Sequence, residues 1–143
     1  GVTLTIEDFG MTPHFTASAS HCLEVLQGAG DAVRFTFDNG NFLLGGDTPK
    51  AGYRATKDHI AHVHIKDFRP RPADGNPSLT SVKGVPYTDC SIGDGDGQVR
   101  ECVTALRRDG YRDWVSLEVG GPDPLASAVQ GARFIRKTWE SVH

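Results

Sequence analysis

The feature that most constrains this chain is a strand ending that recurs four times. VTLTIE (2–7), AVRFTFD (32–38), IAHVHIK (60–66) and WVSLEV (114–119) each alternate apolar and polar residues. The ionisable residue nearest the C-terminal end of each polar face is Glu7, Asp38, His64 and Glu118, respectively. Side chains alternate across a strand, so each segment offers one face to a core and one to chemistry. Val2, Leu4 and Ile6 oppose Thr3, Thr5 and Glu7. Val33, Phe35 and Phe37 oppose Arg34, Thr36 and Asp38. Ala61, Val63 and Ile65 oppose Ile60, His62, His64 and Lys66.

Helical spacing fills the intervals. TASASHCLEVLQGAG (16–30), a shorter run around 49–58, QVRECVTALRRDG (98–110) and PDPLASAVQGARFIRKTWESV (122–142) recur at helical period, the last with Pro124 near its first turn. The stretch 67–97, rich in Pro, Gly and Asp, is predicted as a long loop. Strands alternating with helices imply an α/β fold with a parallel sheet of right-handed βαβ units. In a doubly wound open sheet the strands are apolar on both faces. Strand ends converging on one site are instead the pattern of a (β/α)8 TIM barrel, whose active site lies at the C-terminal rim. Eight units need about 250 residues, and this chain has 143 and four βα units. Residues 1–143 are therefore predicted as a single domain forming half a barrel. The lumen residues Thr3, Thr5, Arg34, Thr36, His62 and Ser116 and two edge strands would stay open, so the expected partner is an N-terminal half-barrel or a second copy of the chain. The chain starts GVTLTIE, without Met and already in a strand pattern, and is expected to be truncated or processed.

Charge and cysteine usage narrow the function classes. A net charge of −3 and a pI near 6.0 argue against nucleic acid as a partner, because phosphate binding needs a basic surface. No apolar run approaches the roughly 18 residues of a membrane span. Cys22, Cys90 and Cys102 form no CxxC pair and read as free thiols, and the expected location is cytoplasmic.

Three carboxylates and one imidazole in one register suit a single divalent ion of intermediate hardness: Mn2+ first, with Mg2+, Co2+ and Zn2+ as alternatives. His64 is the expected imidazole ligand, and His62, one pleat deeper, is expected to support or pack. Lys66 and Asp67 end the third strand at the rim, where Lys66 is expected either to hold a substrate oxygen or to pair with a lumen carboxylate. Arg69 and Arg71 open the long loop, and His14 follows the first strand; these are candidate substrate contacts. Asp96, or a residue near it in GDGDG, is expected to cap the following helix.

EDFG after an apolar strand, FTFDNGN, HVHIKD and GYRDWVSLEV resemble the sugar phosphate isomerase/epimerase superfamily, the xylose isomerase-like barrel group that also holds dehydratases and AP endonucleases. The resemblance spans essentially the whole chain, as the C-terminal half of such a barrel. It implies one metal held by Glu7, Asp38, His64 and Glu118, with the second His of HVH as the ligand. It also implies Glu7 and Glu118 as proton acceptor and donor on opposite sides of the substrate. Many members place a substrate-contacting His three residues after the strand Asp. That position is Asn41 here, which can hydrogen-bond a hydroxyl or carbonyl but cannot titrate near neutrality. The AP endonuclease branch needs a further His in the last long loop, and SIGDGDG has none. The expected activity is metal-dependent isomerisation or epimerisation of a sugar, keto-sugar or sugar phosphate through an enediolate. The alternatives are a lyase or dehydratase acting on a keto-sugar or cyclic keto-acid, and a non-catalytic half-barrel.

Overall fold

A computed structural model describes residues 1–143 except 12–13, 72–78, 121–122 and 143. In chain order the elements are β1 (Leu4–Glu7), α1 (Ala19–Ala29), β2 (Val33–Asp38), α2 (Asn39–Leu44), α3 (Pro49–Thr56) and β3 (Ile60–Ile65). There follow β4 (Phe68–Pro70), β5 (Leu79–Thr80), β6 (Pro86–Asp89), α4 (Val99–Arg108), β7 (Val115–Leu117) and α5 (Pro124–Glu140). β1, β2, β3 and β7 form one parallel sheet in that order, which leaves β1 and β7 as its edges. Pairs such as Ile6 with Phe35, Asp38 with His64, and His64 with Ser116 set the register.

The apolar strand residues face the helices. Phe35, Phe37, Val63 and Ile65 are fully buried, packed with Cys22 and Leu26 of α1, Tyr53 of α3 and Cys102, Val103 and Leu106 of α4. Burying one such large side chain stabilises the fold by about 1.5–3 kcal/mol, so this layer dominates the energetics. Local chemistry marks the helix starts. Thr48 and Asp123 accept the backbone N–H of Ala51 and Ala126, and each is followed by a proline at the first helical position. Cys22, Cys90 and Cys102 are free, and burial pushes each thiol up to about 12.

Several expectations need correction. The first strand begins at Leu4 rather than Val2, because β1 is an edge and nothing covers its start: Val2 is 92% exposed. The stretch 67–97 is not a plain loop but carries the antiparallel sheet β4-β6-β5. The helix α2 grows directly out of the β2 end, capped by Asp38, whose Oδ1 accepts the Asn41 N–H. Asp96 does not cap α4. Gln98, in left-handed backbone with φ 48°, precedes that helix without capping it; its Oε1 instead accepts the N–H of Lys50 in the first turn of α3. Among the described residues no helix is long and apolar enough to cross a membrane.

Candidate metal centre

The lumen face of the sheet carries polar pairs that step toward the C-terminal rim. Thr36 Oγ1 bonds Thr5 Oγ1 at 2.8 Å, and His62 Nε2 lies 2.9 Å from Ser116 Oγ. One pleat further on, Glu7, Asp38, His64 and Glu118 converge, with one ligand atom from each lying within 4.8 Å of the others. His64 Nδ1 is 3.1 Å from Glu7 Oε1, 2.9 Å from Glu118 Oε1 and 3.9 Å from Asp38 Oδ2. Glu118 follows the last residue of β7 and stays in the ladder, its N–H donating to the carbonyl of Ile65.

The electrostatics of this group fit a cation. Two donors on opposite sides of an ion at about 2.2 Å stand about 4.4 Å apart, so the set needs to close by only a few tenths of an ångström. A neutral imidazole Nδ1 can donate to one carboxylate at most, yet two carboxylate oxygens crowd it. Asp38 is fully buried, and burial pushes its carboxyl up to about 7 against the pull of the Lys66 ammonium. Asp38 Oδ2 makes no well-directed hydrogen bond and has Lys66 Nζ 3.0 Å away. The same ammonium is 2.5 Å from Glu118 Oε2. Burial alone would lower the Lys66 pKa, but Asp38 and Glu118 outweigh it and raise it. Lys66 thus brings one ammonium to a cluster of three carboxyl groups and one imidazole. Of its two expected roles, the structure shows the pairing with lumen carboxylates.

The other expected site residues are placed as follows. Asn41 Nδ2 donates to Asp8 O at 2.8 Å and to Glu7 Oε1 at 3.3 Å, so its amide is turned to Glu7. Arg69, on β4, lines a small cavity of about 190 Å3 with Asp89, Asp94 and Gly120, two residues beyond Glu118. His14 packs edge-on against Phe9 in the loop after β1, with ring centroids 4.6 Å apart. Burial and the neighbouring His64 lower the pKa of His62.

Asp8 and Asn39, directly behind the four converging residues, were given no role from the sequence, and Asp67 was placed only at the rim. Asp8 is fully buried, and its Oδ1 accepts the N–H of Asp38 at 2.9 Å. Burial, then the charges of Asp38 and Glu7, raise its pKa well above the usual carboxylate range. Asn39, one residue beyond the end of β2, and Asp67, two beyond the end of β3, are likewise buried polar residues. The signal was present: in ED, DN and KD a second polar residue follows the first, and alternation sends it to the opposite face.

The family model described as xylose isomerase-like TIM barrel matches residues 1–138. The chain belongs to this family. Among curated relatives, it is similar to an inosose dehydratase from Lacticaseibacillus casei, at 27% identity over 115 residues covering 76% of this chain and 39% of the relative. It is also similar to an inosose dehydratase from Klebsiella pneumoniae, at 30% identity over 118 residues covering 76% and 40%. A xylose isomerase-like TIM barrel protein from Mycobacterium smegmatis, solved in complex with magnesium, superimposes with a TM-score of 0.75 at 18% identity over 99% of this chain and 45% of that one. The chain spans about two-fifths of the curated relatives' length. The sheet β1-β2-β3-β7 with its helices is accordingly part of a barrel of this xylose isomerase-like type.

Proposed function

We propose that this chain contributes the metal-holding part of a lyase that removes water from a cyclic keto-polyol or keto-acid. The observation that carries the reading is the convergence of Glu7, Asp38, His64 and Glu118 at the C-terminal ends of adjacent parallel strands. The names of the curated relatives favour the dehydratase over the isomerase or epimerase reading. The remaining lumen wall would come from further βα units, as an N-terminal half-barrel or a second copy, closing over the open edges β1 and β7.

Glu7, Asp38, His64 and Glu118 would hold one divalent ion, with Mn2+ and Mg2+ the leading candidates. When bound, such an ion polarises the substrate carbonyl and lowers the cost of the enediolate charge. Everything else falls to the side chains. Glu7 and Glu118 sit on the two edge strands with His64 between them, so they flank whatever lies over the site. Lys66 Nζ lies 2.5 Å from Glu118 Oε2 and orients that carboxylate. Glu118 then takes the proton from the carbon next to the carbonyl. The electron pair moves into the carbon framework and expels the β-hydroxyl, which leaves as water with a proton from Glu7. Asn41 holds Glu7 in place for that transfer. Arg69 and His14 are proposed as outer substrate contacts from the rim loops.

The test is product analysis with the intact natural protein, a panel of keto-polyols and cyclic keto-acids, and added Mn2+ or Mg2+. A metal-dependent product lighter than its substrate by one water is expected. A product isomeric with the substrate would return the isomerase or epimerase reading.

A further inference from the structure

Asp67 begins the excursion that Gly97 ends, and its carboxylate closes the neck between them. Oδ1 accepts the N–H groups of Phe68 at 3.0 Å and Gly97 at 2.9 Å, while Oδ2 accepts those of Gly93 at 2.9 Å and Gly95 at 3.0 Å. Three alternate amides of SIGDGDG are therefore spent on one buried carboxylate, as backbone amides elsewhere converge on a bound anion. Glycine is required there: a Cβ on Gly95 would lie 2.4 Å from Asp67 Oδ1.

The clip does not end at the loop. Asn39 grips Lys66 from both sides, accepting its N–H at 3.1 Å and donating Nδ2 to its carbonyl at 2.9 Å. The same Nδ2 donates to the carbonyl of Gly97 at 2.8 Å. Gly97 is thus held through its N–H by Asp67 and through its carbonyl by Asn39. Asn39 follows Asp38, and Lys66 reaches back to Asp38 and Glu118. A closed ring of hydrogen bonds ties the ends of β2 and β3 to the returning end of the excursion.

We propose that Asp67 is a positioning residue: it staples the neck of the 67–97 excursion and, through Gly97 and Asn39, fixes Asp38 and Lys66 at the metal centre. The proposal rests on the reading of the four strand-end residues as that centre. Asp67 itself touches none of the four ligands in any of these contacts and acts through backbone.

The experiment uses the intact natural protein and its Asp67→Asn variant, with Thr56→Ala on α3 as a destabilised control, since among the described residues Thr56 Oγ1 bonds within its own helix, to Gly52 O. Hydrogen exchange at Gly93, Gly95 and Gly97 is expected to accelerate on the order of 100-fold in Asp67→Asn. Mn2+ affinity by calorimetry is expected to fall about tenfold, and KM to rise more than kcat falls. Thr56→Ala should leave all three readouts unchanged. Should Asp67→Asn fail to fold, Gly97→Ala wedges the same ring, its Cβ meeting Asn39 Nδ2 and Asp67 Oδ1 at 2.7 Å. Faster exchange with wild-type Mn2+ affinity overturns the proposal, as does unchanged exchange. A wild type that binds no Mn2+ overturns the metal reading instead. Neither physical readout needs turnover, so a wrong substrate class leaves the test standing.

Discussion

The two faces of the four-stranded sheet are built from alternate residues of the same strands, yet they obey different rules. On the helix side Phe35, Phe37, Val63 and Ile65 are fully buried against apolar neighbours. On the lumen side Thr5, Thr36, His62 and Ser116 pair with one another, and the row ends in a cluster whose charges do not balance. The first face supplies stability through dry packing. The second holds unsatisfied chemistry in place, which is where a chain departs from its own stability optimum. One residue of register slip would exchange the two faces.

That contrast breaks most visibly in stability. Phe37→Ala on the helix side is expected to cost about 3–5 kcal/mol in denaturant unfolding of the intact protein. Thr36→Val, one residue away on the lumen side, removes a single hydroxyl contact and is expected to cost about 1 kcal/mol or less. Equal costs would erase the distinction between the faces.

In activity the ranking reverses. Glu118→Gln is expected to lower turnover on the order of 100-fold or more while leaving KM within a few-fold. Metal content measured on the same sample separates a lost acid/base group from a lost ion. A metal-replete, fully active variant would remove Glu118 from the chemistry.

How much of this was legible in the sequence follows the same division. The period-2 pattern of VRFTFD and HVHIK marked β2 and β3 and assigned each side chain to a face, because one face is a core. It failed where tertiary contacts, not periodicity, make the element. Asn39–Leu44 contains NGN, a poor helix sequence, and forms α2 because Asp38 caps it and Phe42 and Leu44 are buried. The sheet β4-β6-β5 sits in Pro- and Gly-rich sequence with strands of two to four residues, too short to show a period. The candidate set Glu7, Asp38, His64 and Glu118 was readable from the shared strand face, with the resemblance deciding for His64 over His62. Asp67 was not, since its role lies in amides of residues 93–97 that only the fold brings near.

A pH titration sharpens the lumen side further. Burial raises Asp38 to about 7, so the proton must leave before the carboxylate can ligate. Metal affinity is therefore expected to be full above that value and to fall up to about tenfold per pH unit below it. A flat profile from pH 8 to 5 would show that Asp38 is ionised throughout.

The smallest effect belongs to the outer surface. Hydrogen bonds from Lys57 and Tyr53 hold the exposed Asp109 carboxyl below its ordinary value. A depressed carboxylate stabilises above its unfolded pKa and loses that contribution as pH falls through the folded one. Comparing Asp109→Asn with wild type should show a difference of a few tenths of a kcal/mol at neutral pH that vanishes in acid. A difference that persists at low pH would point to packing rather than charge.

One divalent ion is expected among Glu7, Asp38, His64 and Glu118. The most direct test is Mn2+ titration of the intact protein followed by electron paramagnetic resonance with nitrogen hyperfine detection. The account predicts one tightly bound Mn2+ coupled to a single imidazole nitrogen, with the coupling lost in His64→Ala and retained in His62→Ala. Binding that survives His64→Ala with an unchanged spectrum would contradict it.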